Sequence, residues 1–402
     1  MSKLHISSRA LRTPPSPIRK LAYLATQAKA RGTSVFHLNI GQPDIKSPKE
    51  FFEGIALYQQ EVVAYEQSQG NAELSNAWSA YMNRTLGLAT VPEHFLITTG
   101  ASEALIFVFM LCCDPGDEVL ILDPTYANYI GFAAITGVKL IPVQTELEQN
   151  FALPSVEELE RAITSRTRAV LICNPNNPTG TIYSKEELRS LIGLCNDHDL
   201  FLVVDETYRE FTYDGALPLS ALHLEPSNRR IIIVDSLSKR FSLCGARVGA
   251  LITTNESILA GALNLAQARL ASPTIEQFAA AHMLRKIDEE FINAVKAEYQ
   301  GRRDTLLQSL KALPGVASHT PQGAFYTVAR LPVKNAETFA SFMLTSFSHN
   351  KKTTFVAPAE GFYMKPHEGE NEIRLAYVLE SSAIQQAITI LGDGLKLYQS
   401  MH

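Results

Sequence analysis

The sequence predicts an α/β protein: a large domain with a mostly parallel seven-stranded sheet between helices, followed by a smaller α+β domain. Three observations predict it. Between about residues 94 and 253, strand-like runs alternate with helix-like ones. Most of those runs are continuously apolar, which suits strands covered on both faces. After about residue 255 the pattern turns mostly helical and then breaks into short strand-like pieces. The chain has 402 residues, 46% of them hydrophobic, enough for two domains. The boundaries are placed at residues 48–290 for the large domain, and at 1–47 together with 291–402 for the small domain and an N-terminal arm.

The strand candidates are FLIT (95–98), VLIL (119–122), VKLIPV (138–143), AVLIC (169–173), FLVV (201–204), IIIV (231–234) and VGALIT (248–253). Ser155 with Glu158, and Ser184 with Glu187, have capping-box spacing, and each pair opens a segment of helical period. FINAVKAEYQGRRDTLLQSLKAL reads as one long helix with a weak point at Gly301. AFYTVARL and EIRLAYVL read as strands of the smaller domain, and SSAIQQAITILGDGLKLY as a terminal helix.

Composition narrows the function. A net charge of -5 gives no reason to expect nucleic acid or anionic membrane as a partner. The longest apolar run, about Ala104 to Cys113, is far short of the roughly 20 residues of a spanning helix. The first residues lack an apolar signal core, so a soluble cytoplasmic protein is expected. The five cysteines include no Cys-x-x-Cys, and the ten histidines no His-x-x-x-His, so no metal site is expected.

In open α/β sheets, ligands bind beyond the carboxyl ends of the strands. After FLIT come Gly100, Ala101 and Ser102, small residues at a helix start whose N–H groups suit an anion. After VLIL comes Tyr126, able to cover a planar ring or simply to fill core. After AVLIC a stiff turn, NPNNPTG, places Asn177 where a ligand would sit. After FLVV come Asp205 and Tyr208; a carboxylate behind four buried apolar residues needs a partner, either a helix start or a cationic ligand atom. After IIIV comes DSLSKRFSLCGARVG. Lys239 can act there as an amine nucleophile toward carbonyls. Ser236, Ser238 and Arg247 can hold a phosphate. Singly, each feature has a plainer reading as a cap, a core tyrosine or a basic loop. Together they describe a ligand with an aldehyde, a phosphate, a flat ring and a protonated ring nitrogen. Pyridoxal 5′-phosphate meets that description.

NPNNPTG, DETY and SLSKRFSLCGARVG, in this order and spacing, resemble the class I aminotransferases of the aspartate aminotransferase superfamily, fold type I. The likeness runs from HLNIGQPD to NEIRLAYV, almost the whole chain. The resemblance implies that Lys239 holds the cofactor aldehyde as a Schiff base and shuttles the proton between Cα and C4′. Asp205 would hold the ring nitrogen, Asn177 and Tyr208 the ring hydroxyl, and Tyr126 one ring face. Gly100, Ala101, Ser102, Ser236, Ser238 and Arg247 would hold the phosphate. Tyr65 matches a tyrosine that reaches the neighbouring subunit's phosphate, which implies a homodimer. Gly41 and Arg374, with Asn177, match the substrate-carboxylate site; the local pattern alone would put Arg374 on the solvent face of an alternating strand. The family's two cis prolyl bonds would fall at Asp123–Pro124 and Asn177–Pro178.

The amino donor is less legible. The lysine that some aspartate-specific relatives carry is replaced here by Ser102. Arg269 stands near the position from which other relatives lend an arginine to the partner subunit, and reads equally as a helix-surface arginine. The APAEGFYMKP and RLAYV segments look most like chains assigned to aspartate. The expected activity is therefore ping-pong transfer of an amino group from an L-amino acid, first of all aspartate, to 2-oxoglutarate. Broad or aromatic specificity, or a C–S β-lyase on the same fold, are the alternatives.

Overall fold

A computed structural model describes residues 5–401; residues 1–4, which the expected N-terminal arm includes, and residue 402 lie outside it. Seven strands form the central sheet: β1 (Phe95–Thr99), β2 (Glu118–Asp123), β3 (Lys139–Gln144), β4 (Thr167–Cys173), β5 (Phe201–Asp205), β6 (Ile231–Ser236) and β7 (Val248–Ile252). Their spatial order is β1-β7-β6-β5-β4-β2-β3. Each coincides with a run picked out by its apolar continuity. The five inner strands β2, β4, β5, β6 and β7 are almost wholly buried, as strands covered on both faces must be. β3 is the exception: it carries Pro142 and alternates in burial, and it lies at the sheet edge, where a missing N–H is tolerated.

All pairings are parallel except those of β7, which runs antiparallel to both β1 and β6. This reversal positions the site. Parallel strands bring Cys173 level with Asp205, and Asp205 level with Val234. The reversed strand starts at the same edge, with Val248 opposite Thr99 and Gly249 opposite Ser236. Arg247, just before a strand, therefore joins residues that all lie just after one.

Helices cover the sheet on both faces, and two apolar cores result. One includes Trp78, Leu188, Leu191, Val204 and Ile233; the other includes Leu105, Phe109, Val203, Ile232 and Leu251. Neighbouring residues of β5 and β6 enter opposite cores, as the two-residue period of a strand requires. Both capping boxes form. Glu158 Oε2 accepts from the Ser155 amide at 2.9 Å, and Glu187 Oε2 from the Ser184 amide at 2.7 Å. The helix Glu289–Lys311 runs unbroken through Gly301.

A separate antiparallel sheet contains β8 (Ala317–Ser318), β9 (Tyr326–Arg330), β10 (Ala357–Pro358) and β11 (Glu372–Ala376), in the order β10-β11-β9-β8. The terminal helix Ser381–Ser400 packs its apolar stripe into the core of this region. That core also takes in Cys173, Tyr208 and Phe211 from the carboxyl ends of β4 and β5. The two regions thus meet at the strand ends that the sequence singles out. Peptide bonds Asp123–Pro124 and Asn177–Pro178 are cis, as expected, and so is Asn174–Pro175, which was not anticipated.

Candidate active site

One pocket lies at that edge. Ala101 and Ser102 line it from the helix Gly100–Cys112; Tyr126 from the turn after β2; Asn177 from the turn after β4; Asp205 and Tyr208 from the end of β5; and Ser236, Ser238, Lys239 and Arg247 from the loop joining β6 to β7. Ten residues from five chain segments, all named from the sequence, surround one space. Leu105, Cys173, Thr207 and Cys244 line it too.

The anion side is tightly built. Gly100 has φ +74°, and a Cβ there would stand 2.6 Å from Arg247 Nη2, so only glycine allows the arginine to lie across the helix start. Arg247 itself has φ +55°, a left-handed conformation that costs a non-glycine residue roughly 1–3 kcal/mol and collects at functional sites. Its guanidinium donates to the carbonyls of Cys244 at 3.2 Å and Thr99 at 3.4 Å. Ser236 Oγ donates to Ser238 Oγ at 2.8 Å.

Asp205 is buried and accepts three bonds: from the Thr207 amide at 3.1 Å, from Thr207 Oγ1 at 2.6 Å and from the Tyr129 hydroxyl at 2.8 Å. Burial pushes its pKa up, and the bonds from Thr207 and Tyr129 oppose that. Because the folded value is raised, Asp205 supports the fold fully below its unfolded value of about 4. That support is lost as pH rises through the folded value. Asp205→Asn is therefore expected to raise the melting temperature of the ligand-free protein at pH 8 and to give no gain at pH 4. Scanning calorimetry at both pH values checks the sign.

Lys239 Nζ donates to the Gly41 carbonyl at 2.8 Å and lies 3.8 Å from Cys244 Sγ. Gly41 packs against Tyr326, whose hydroxyl a Cβ at that position would strike. Tyr326 and Tyr208 share a hydroxyl–hydroxyl bond of 2.9 Å. Burial, reinforced by Tyr326, pushes the Tyr208 phenol well up, so it stays a protonated donor.

Arg374, on β11, is 1% exposed and not on a solvent face. It donates to Asn177 Oδ1 at 3.2 Å and to the Asn39 carbonyl at 2.6 Å, and its guanidinium lies 4.5 Å from the Tyr326 ring centre and 4.8 Å from that of Phe362. Its Nε has no partner among the described residues. Burial lowers its pKa, and Tyr326, Tyr208 and Tyr126 partly restore it.

Five predicted residues do not line the pocket: Gly41, Gly100 and Arg374 lie against residues that do, and Tyr65 and Arg269 stand apart. Tyr65 is 83% exposed. Arg269 gives Nε to Glu103, at 3.1 and 3.2 Å, and Nη2 to the Ile97 carbonyl at 2.8 Å. Glu103 in turn accepts from the Thr99 amide at 2.8 Å, so this pair buttresses the start of the anion-facing helix. Residues the sequence reading missed are Tyr129, Thr207, Tyr326, Cys173 and Cys244. Thr207 had a legible signal, an acceptor two residues before its amide. Tyr326 had none, since it meets Tyr208 from 118 residues away.

The charges do not balance locally. Among the described residues, Lys239, Arg247 and Arg374 have no carboxylate within ion-pair distance, and Asp205 has no cation. Cations buried or half-buried without partners are costly, and call for anionic groups from outside the chain.

The family model for class I and II aminotransferases matches residues 33–391. The chain belongs to this family. It is 33% identical over 330 residues to the aspartate/prephenate aminotransferase of Thermus thermophilus, covering 80% of this chain and 83% of that one. Among solved structures it resembles the aspartate aminotransferase from Thermus thermophilus with maleate, with a TM-score of 0.87 and 29% identity over 98% of this chain and 100% of that one. It resembles the alanine aminotransferase from Pyrococcus furiosus equally well, with a TM-score of 0.88 and 27% identity over the same shares. The chain is thus an aminotransferase, and amino transfer is its reaction. Among the described residues no helix is long and apolar enough to cross a membrane.

Proposed function

We propose that this aminotransferase moves the amino group of an L-amino acid, aspartate first, to 2-oxoglutarate, using pyridoxal 5′-phosphate held in the pocket described. The observation that carries the reading is the unbalanced charge set: Lys239 and Arg247 without an acid and buried Asp205 without a cation line a single space, and Arg374, also without an acid, is bonded to its lining residue Asn177. The cofactor's phosphate would answer Arg247, its protonated ring nitrogen Asp205, and a substrate carboxylate Arg374. When bound, the cofactor supplies an electron sink for the bond broken at the substrate Cα.

The chain's own groups do the rest. Lys239 Nζ is the amine that would meet the cofactor aldehyde, and when free it would serve as the base that moves the proton at the substrate Cα. Asp205 would keep the ring nitrogen protonated. Tyr208 and Asn177 would donate toward the ring hydroxyl, and Tyr126, whose hydroxyl accepts from Asn128 Nδ2 at 2.7 Å, would cover a ring face. Gly100, Ala101 and Ser102 offer N–H groups, and Ser236 and Ser238 hydroxyls, to the phosphate. Gly41 leaves the backbone open beside Arg374, where a carboxylate docks.

A homodimer completes the reading. Val62, Val63 and Tyr65 form an exposed apolar segment, 72%, 60% and 83% accessible, beside exposed Phe52 and Leu57. Contiguous apolar exposure marks an interface, and this one would carry Tyr65 to the partner's phosphate.

Aspartate is favoured by the names of the relatives, and one similar structure is of an aspartate aminotransferase with maleate, a dicarboxylate. Half-reaction rates for a panel of amino acids, followed by cofactor absorbance, test the assignment. Rates for aspartate no faster than for phenylalanine or alanine would overturn the donor. Arg269→Ala belongs in the same experiment. Because Arg269 is engaged with Glu103, the variant is expected to slow all donors alike, by about 2–10-fold, the worth of a partly exposed charged pair. Loss confined to aspartate would instead assign Arg269 to the second carboxylate.

A further inference from the structure

Bonded to the backbone of pocket residue Ser236 is a closed group of five charged side chains that the chemistry above does not use. Arg209, Arg240, Glu206, Glu210 and Asp235 have side chains no more than 5% exposed. Arg209 Nη1 holds Glu206 Oε2 at 2.9 Å, and its Nη2 reaches Glu210 Oε1 at 3.1 Å and Asp235 Oδ2 at 3.0 Å. Arg240 pairs with the same Glu210 oxygen and with Asp235 Oδ1, which closes a ring of two cations and two anions. Glu206 extends it and accepts from the Ala221 amide at 3.0 Å.

Stability alone is a poor reason for such a group. Desolvation offsets most of the attraction in a buried ion pair, and apolar side chains of equal volume often serve as well. Its place in the chain is more informative. Glu206 follows Asp205, Arg209 follows Tyr208, Arg240 follows Lys239, and Asp235 precedes Ser236. Asp235 and Ser236 are neighbours on β6 and face opposite sides of the sheet; the other three pairs lie at or in the turns that follow β5 and β6, so each of these four cluster members adjoins a pocket residue in the chain.

It also grips backbone. Asp235 Oδ1 accepts from the Ser236 amide at 2.7 Å, and Arg240 Nη2 donates to the Ser236 carbonyl at 3.1 Å. Both main-chain polar groups of Ser236 are thus held by charged partners, the stronger class of hydrogen bond. Ser236 Oγ, so placed, accepts from the Ser238 amide at 3.2 Å and donates to Ser238 Oγ at 2.8 Å.

We infer that Arg240 and Asp235 are positioning residues for the anion cup: they hold Ser236, and through it Ser238, where their hydroxyls meet the cofactor phosphate. The inference rests on the cofactor reading given above. Arg240→Met combined with Glu210→Met removes one cation and one anion, leaves the cluster's net charge as it was, and keeps the volume filled. The full chain, stripped of cofactor, is titrated with pyridoxal 5′-phosphate and with pyridoxal, which lacks the phosphate. The expected result is a Kd for the phosphate form raised about tenfold or more. The Kd for pyridoxal is expected to change by less than about twofold, so the preference between the two collapses accordingly. Equal weakening of both ligands, or an unchanged preference, overturns the inference and leaves the cluster a purely structural one. If the double variant fails to fold, Arg240→Lys keeps the charge and loses the fork; a preference reduced several-fold is then expected, and an unchanged one overturns the inference. A native chain that binds both forms alike, or neither, would sink the cofactor reading itself and is recognised before any variant is made.

Discussion

Lys239→Ala is expected to abolish amino transfer, lowering kcat by at least about 10⁴-fold, because the proposed reading gives this one side chain the roles of nucleophile and general base. The cofactor is still retained. Arg247, the serine hydroxyls, Asp205 and Tyr126 surround the pocket independently of Lys239, whose Nζ reaches the Gly41 carbonyl and Cys244 Sγ and lies 6.0 Å from the Phe325 ring centre. Steady-state assays with aspartate and 2-oxoglutarate, together with cofactor content after dialysis, check both halves. Borohydride, which fixes the cofactor covalently to the native chain, is expected to leave it removable from the variant. Turnover within tenfold of the native rate would remove Lys239 from the chemistry.

Arg374→Ala is expected to have the second largest effect. A fork of donors is held between the Tyr326 and Phe362 rings with no acid opposite. Losing a desolvated, bidentate contact to a carboxylate is worth about 3–5 kcal/mol, or roughly 10²–10⁴-fold in kcat/KM at 1.4 kcal/mol per decade. The loss falls on amino donor and oxo-acid acceptor alike, since both carry the same carboxylate. Arg374→Lys keeps the charge without the fork and should fall between. Because no acid is left unpaired, neither variant should unfold; circular dichroism separates a folding defect from the kinetic one. A KM for both substrates within threefold of native would move the carboxylate site elsewhere.

Much of this was legible beforehand for a local reason. Strands β4, β5 and β6 announce themselves because burial on both faces demands apolar continuity, and the residue that ends each run is the one at the sheet edge. Asp205 and Lys239 were conspicuous as charges following such runs. Tyr129 and Tyr326 were not, because an aromatic in an apolar stretch looks the same whether it fills core or aims its hydroxyl at Asp205 or Tyr208. Arg374 lies on a strand that could be read as alternating, and only packing against Tyr326 and Phe362 shows which face it occupies.

The sequence by itself determined the fold class, the order of the strands' ends, and the types of group that gather there: an amine, a carboxylate, and an arginine with serine hydroxyls. These depend on period, apolar continuity and turn chemistry, which are properties of short segments. The tertiary structure alone decided which groups lack partners. It reversed β7 so that Arg247 meets Gly100, buried Arg374 without an acid, engaged Arg269 with Glu103, and closed Arg209, Arg240, Glu210 and Asp235 into one ring. Pairing depends on distance between residues far apart in the chain, and no local pattern encodes it.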